Sequence, residues 1–316
     1  MRPFGWCLLV VATAFGGSGR LVAAEGSKPP GGSRFEFGLF GNQSAAGEDR
    51  ARFPGLVAAI NAAGLAFSID DGGIGSAPAD CRDDYDLQTR DLFDGFDAPL
   101  IYTPGQSDWR DCAAGDGPLA RLGSLRRIFF ASNRSAGRRT IEVQRQRPYY
   151  PEDARWQYGP VTFATMHVIG EGDGLRGDAA DKEVAARQAA VSDWLEGTFD
   201  EAERVGSAGV VLIWQADPRF GQNVAAYNSF RGALRARTIS FGRPVVAVHG
   251  DTGYFRIDKP MVDDHGRRVE NFTRVETFAG PEVDWVRAIV DPADPGLFTF
   301  RAEIVPPATD SPEDQG

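Results

Sequence analysis

The chain of 316 residues carries 34 Lys and Arg against 44 Asp and Glu, a formal charge of -10, with 3 His and 3 Cys. At 42% hydrophobic residues it can build a full core, as one large domain or two ordinary ones. The acidic balance argues against a protein that tracks nucleic-acid phosphates, the lone N-terminal apolar run against a transmembrane bundle, and three histidines against a site needing four imidazoles from one copy.

In chain order, Met1-Arg2, the apolar stretch Cys7 to Phe15 and the small-residue exit Val22-Ala23-Ala24 have the layout of a secretory signal peptide, with cleavage after Ala24. An uncleaved anchor is disfavoured because the run is short for a bilayer. The mature chain is therefore expected to be secreted or periplasmic, with no stable membrane span. Residues 25–33 read as a flexible linker, 34–306 as the folded domain and 307–316 as a disordered acidic tail. The remaining cysteines, Cys81 and Cys112, read first as a disulfide worth roughly 3 to 4 kcal/mol in the chain-entropy model. Two buried thiols are the alternative. Neither cysteine has a second Cys or a His at metal-ligand spacing.

The periodicity predicts alternating elements: a strand over 34–41, a helix over 49–63, a strand over 65–69, a helix over 85–96, a strand over 99–102 and a helix over 119–129. Residues 131–160, rich in Arg and Tyr, read as an insertion or covering loop. The rhythm resumes with a strand over 161–168, a long helix over 179–205, a strand over 210–214, a helix over 224–237 and a strand over 244–249. Three strands without intervening helices follow, over 272–278, 285–290 and 297–304. This is the pattern of an α/β domain with two stacked sheets.

Open α/β sheets bind ligands at the carboxyl ends of their strands. Five such loops are polar: Gly41-Asn42-Gln43-Ser44, Asp70-Asp71-Gly72-Gly73, Gly105-Gln106-Ser107-Asp108, Gln215-Ala216-Asp217-Pro218 and His249-Gly250-Asp251-Thr252-Gly253. With the stretches Tyr102 to Cys112, Val248 to Pro260 and Glu270 to Glu276, they resemble, from about Phe35 to Pro306, the calcineurin-like metallophosphoesterases, in particular an exported bacterial branch. The resemblance implies a phosphoesterase sandwich, two stacked mixed β-sheets flanked by helices. It also implies a two-metal centre, activating a water for attack on phosphorus, built from D-x-H, G-D-x-x-D, G-N-H-E or G-D-N-E, a lone His and G-H-x-H.

The ligand positions of those motifs are replaced. Asn42 stands for the first Asp, Ser44 for its His, Gly73 for the bridging Asp, Ser107 for the metal-binding Asn, Gln215 for the lone His, and Asp251 and Gly253 for the closing histidines. Gly73 brings no ligand atom, and neutral amides bind transition metals poorly beside imidazole. Two dications about 4 Å apart need the bridging carboxylate that Gly73 cannot supply; a slip in register puts Asp71 or Asp70 in that role instead but does not restore the missing histidines. The expectation is that no metal is bound, or at most a single divalent Mn, Fe or Zn ion. The chain then reads as a binding or scaffolding protein for a small phosphorylated or polar ligand. The alternative is a phosphoester hydrolase with a reduced site drawn from Asp70, Asp71, Asp108, His249 and Asp251; Asp71, Asp108, His249 and Asp251 are the candidate catalytic groups, although turn capping suits Asp108 and Asp251 equally. His167, inside an apolar strand, reads as structural or pocket-edge, and His265 as solvated. No G-x-S-x-G supports a serine hydrolase.

Overall fold

The computed structural model describes residues 32–42, 47–75, 81–111, 117–170, 178–280 and 283–306. The proposed signal peptide, most of the linker, Ser44, Cys112 and the acidic tail lie outside them, so the Cys81–Cys112 pairing remains an expectation. No helix among the described residues is long and apolar enough to cross a membrane.

The first half alternates as the sequence implies: β1 (Phe35–Phe40), α1 (Gly47–Ala62), β2 (Ser68–Asp70), α2 (Asp83–Phe93), β3 (Leu100–Tyr102) and α3 (Pro118–Phe129). Next come β4 (Gln144–Gln146), β5 (Tyr150–Tyr158), β6 (Val161–Thr165), α4 (Asp178–Arg204), β7 (Gly209–Ile213), α5 (Ala225–Phe241) and β8 (Val245–His249). The last third is β9 (Arg256–Asp258), β10 (Phe272–Glu276), β11 (Trp285–Val290) and β12 (Phe298–Glu303).

Two mixed sheets result, one ordered β12-β11-β1-β2-β3 and the other β4-β5-β6-β7-β8-β10-β9. The strands β1, β2 and β3 run parallel, as do β6, β7, β8 and β10, while the outer strands pair antiparallel. Strand alternation explains the layers. In β7, Val211 and Ile213 point between the sheets, where they join Phe37, Phe67, Trp156 and Phe163. Val210 and Leu212 point the other way, onto Leu195, Phe199 and Leu234 of α4 and α5. On the far side Phe40, Leu100 and Tyr102 meet the apolar faces of α1, α2 and α3.

Two expectations are corrected. Residues 131–160 are not merely a covering loop: they contain β4 and the nine-residue β5, which buries Ala154 and Trp156 in the central layer. The sequence hides β5 because its Glu152 and Asp153, both fully buried, look like loop residues. A short polar edge strand, β9, precedes β10 where no strand was expected.

Candidate functional site

The parallel strands of both sheets end at one crevice, and side chains across it tie the sheets together. Thr277, just after β10, donates its hydroxyl to Asp71 Oδ2 after β2 at 2.7 Å. The backbone N–H of Gln106, after β3, reaches Gln215 Oε1, after β7, at 3.5 Å. The Gly280 N–H donates to the Asn42 carbonyl at 3.4 Å, and within the seven-stranded sheet the Gly250 N–H donates to the Gln215 carbonyl at 3.0 Å.

Asp108 fixes the loops after β2 and β3. Its Oδ2 accepts from the Gly73 N–H at 3.1 Å, the Gly105 N–H at 2.7 Å and the Tyr102 hydroxyl at 2.9 Å. Its Oδ1 accepts from the Gly75 N–H at 3.0 Å and the Ser107 hydroxyl at 3.5 Å. Burial raises its pKa, and these donors pull it back. A carboxylate so engaged holds loops; it has little capacity left to take a proton from a substrate.

Close backbone approach completes the closure. A Cβ at Gly73, whose φ is +85°, would lie 2.7 Å from Asn42 Oδ1 and 2.9 Å from its Cα. One at Gly105 would lie 2.6 Å from Gln215 Cγ and 3.0 Å from the Gly73 N. Asn42, Gly73 and Gln215 thus pack around one another, with Ser107 held beside them through Asp108. The nearest side-chain atom that a Cβ at Gly253 would meet is Ala279 Cβ, 3.6 Å away, so Gly253 sits at the rim. Asp251 is exposed, at φ +85°, and accepts from the Gln215 amide at 3.5 Å and the Asp217 N–H at 3.2 Å, which makes it a loop cap.

The other candidates are buried and held near neutrality. Burial, opposed by the Gly72 N–H and aided by Asp108, pushes Asp70 up to about 8. Burial raises Asp71 well above the carboxylate range, against the Thr277 hydrogen bond and with the charges of Asp70 and Glu276 adding to it. His249 donates from Nδ1 to the Gly250 carbonyl at 2.8 Å and stacks on Trp214, and burial lowers its pKa to about 4. Among the described residues its Nε2 is buried without a partner, as are Asn42 Nδ2, Asp70 Oδ2 and Asp71 Oδ1.

Sequence reasoning passed over a second polar cluster beside the crevice. His167 follows β6 and is fully buried, with Nδ1 2.9 Å from Glu152 Oε1 and Nε2 accepting from Trp109 Nε1 at 3.0 Å. Arg126 of α3 grips Glu152 with two hydrogen bonds of 2.9 and 2.6 Å. Burial opposes the Glu152 charge, but His167 and Arg126 overcome it and hold its pKa at about 2. Burial and the Glu152 charge raise neighbouring Asp153 well above the carboxylate range. Both ring nitrogens of His167 are engaged, and the residue stands at the edge of a cavity lined also by Arg187, Val191, Tyr227 and Phe230. His265 is exposed, as expected.

No protein-family model matches the chain, and no curated protein sequence matches it. Among solved structures it is similar to a purple acid phosphatase, PPD1, from yellow lupin, with a TM-score of 0.51 and 12% identity over 88% of this chain. The chain spans about half of that phosphatase, 53% of its length. A dimetal phosphatase from Danio rerio aligns with a TM-score of 0.50 and 11% identity, over 86% of this chain and 99% of the other. The fold is the calcineurin-like metallophosphoesterase sandwich.

The residues present do not fit the two-metal centre of such an enzyme. Among the described residues no group of three or more His, Cys, Asp or Glu is arranged to hold a metal ion. The missing side chain of Gly73 is what admits Asn42, and Gln215 turns its oxygen to a backbone N–H. We derive no metal-dependent step for this chain.

Proposed function

We propose that this is an exported protein of metallophosphoesterase fold that has given up the two-metal centre and acts by binding, as a receptor for a small polar ligand or as a scaffold. One observation carries this reading. The strand-end loops, where the fold's enzymes need room for two cations and a phosphoester, are drawn together by Asp108 and by backbone contacts at Gly73 and Gly105. Export rests on the N-terminal charge and hydropathy pattern and on the pair Cys81 and Cys112.

Metal analysis of the purified chain, with phosphomonoester and phosphodiester assays before and after chelation, tests the proposal. The expected result is no stoichiometric Mn, Fe or Zn and no chelator-sensitive turnover. Two tightly held metals with chelator-sensitive hydrolysis would overturn it. Weak single-metal turnover abolished by Asp71→Ala would instead establish the hydrolase with a reduced site.

A further inference from the structure

The charge of the molecule is uneven. Residues 131–149 hold Arg134, Arg138, Arg139, Arg145 and Arg147 against the single acid Glu142, in a chain whose overall charge is -10. Of the five arginines, one forms a salt bridge, Arg138 with Asp97. The other four meet no carboxylate among the described residues, yet none hangs loose. Arg145 donates to the carbonyls of Ser132, Pro151 and Arg134, and Arg147 to those of Phe130 and Ala131 and to Asn133 Oδ1. Arg134 is held on the Thr140 hydroxyl and Arg139 on the Asp97 carbonyl. Neutral oxygens fix a guanidinium in place without cancelling its charge, so the segment presents a preorganised positive surface. Like charge accumulates there: burial first, then the Arg147 guanidinium, push Arg145 down to about 10.

Arg134, Arg139 and Arg147 are exposed and keep guanidinium N–H groups that bond no other described residue. The segment includes an exposed turn. The turn between β4 and β5 is Arg147-Pro148-Tyr149, and Tyr149 is 74% exposed. An aromatic ring at the apex of a hairpin, flanked by arginines, has the make-up of a membrane-interface contact, where the ring sits at the headgroup level and the cations meet phosphates. The acidity of the rest of the molecule does not prevent this, because at physiological salt charges beyond about 8 Å are screened.

We propose that the arginine-rich segment 131–149 docks the protein on an anionic phospholipid surface, through Arg134, Arg139 and Arg147 with Tyr149 at the interface. The surface differs from the closed crevice, and the proposal stands whether or not the crevice holds a metal.

The test is co-sedimentation of the full chain with vesicles of phosphatidylcholine alone and of equal parts phosphatidylcholine and phosphatidylglycerol. Binding is expected to the mixed vesicles only, lost at high salt. The variant Arg134→Gln/Arg139→Gln/Arg147→Gln should bind roughly a hundredfold more weakly, at about fivefold per arginine near an anionic surface. An equal charge change elsewhere, Arg204→Gln/Arg267→Gln/Arg301→Gln, should leave binding within about twofold if the patch and not net charge acts. Tyr149→Ala should weaken vesicle binding while leaving capture of soluble polyglutamate unchanged. The proposal fails if mixed vesicles are not bound, if both triple variants lose binding equally, or if the patch variant still binds. It also fails if the patch captures polyglutamate or a second copy of the chain but no vesicle, which would assign it to an acidic protein partner. Unchanged thermal melting of the patch variant would show that its loss is not misfolding.

Discussion

Asp70 stands at the point where burial most strongly conflicts with charge. Its Oδ1 accepts from the Gly72 N–H at 2.9 Å, its Oδ2 has no partner among the described residues, and burial holds it protonated up to about pH 8. Because the folded pKa lies above the unfolded value of 3.8, the folded state binds more protons than the unfolded one between those limits. Stability from this residue is therefore greatest below about pH 4 and falls as pH rises to about 8, by up to about 1.4 kcal/mol per pH unit. His249 has the opposite sign: its folded pKa of about 4 lies below 6.5, so its contribution is present above 6.5 and is lost as pH falls toward 4. Asp70→Asn keeps the oxygen that accepts from Gly72 and removes the titration. Its melting temperature should match the wild type near pH 4 and exceed it increasingly toward pH 8. A difference that stays flat with pH would show that Asp70 is ionised throughout.

At the scale of elements, four segments meet at one buried chain of contacts: α3 through Arg126, β5 through Glu152, the end of β6 through His167, and the loop after β3 through Trp109. Trp109→Phe keeps most of the ring but leaves His167 Nε2 buried without a donor, a cost of about 1 to 3 kcal/mol. Chemical denaturation should register that loss with an unchanged slope; no loss would mean that water or another donor replaces the indole. The same contacts explain what the sequence could and could not convey. Strands such as Val210 to Ile213 were legible because apolar runs of that length between turn signals have few other readings. The strand containing Glu152 and Asp153 was not, since the partners that make it burial-competent lie 26 and 15 residues away, on Arg126 and His167. The strand-end loops were legible as loops from their Gly, Asp and Asn content; that Asn42 packs on Gly73 and Gln215 on Gly105 is visible only in the fold. That Asp108 spends its oxygens on backbone N–H groups was not, because a loop carboxylate looks alike in sequence whether it caps or catalyses. Thr277, the partner of Asp71, carried no signal at all.

On the scale of the whole molecule, the two sheets depend on each other through the layer between them, and the five-stranded sheet depends on β11 and β12. β1 lies between β2 and β11, with Phe35 opposite Val290 and Leu39 opposite Val286. Val286, Ala288 and Val290 cover the same central layer as Phe37 and Phe67. Truncation after Gly280 would strip β1 of one partner and open that layer, so the shortened chain should lack a cooperative thermal transition and bind a hydrophobic dye. A sharp transition in the truncated protein would mean that β1, β2 and β3 hold without β11.

That pairing has a consequence for timing. β1 and β11 are separated by every element from α1 to β10, so the innermost strand of one sheet gains its second neighbour only after all of them have been laid down. Contacts so distant in sequence are slow to close, because the loop entropy is spent before any pairing repays it. Until β11 arrives, the β1 edge, with Phe37 and Leu39 on its central face, stays an open template for other chains. Refolding yield at rising protein concentration should therefore be limited by aggregation at this edge, and the interval before β11 docks is when the molecule most needs protection.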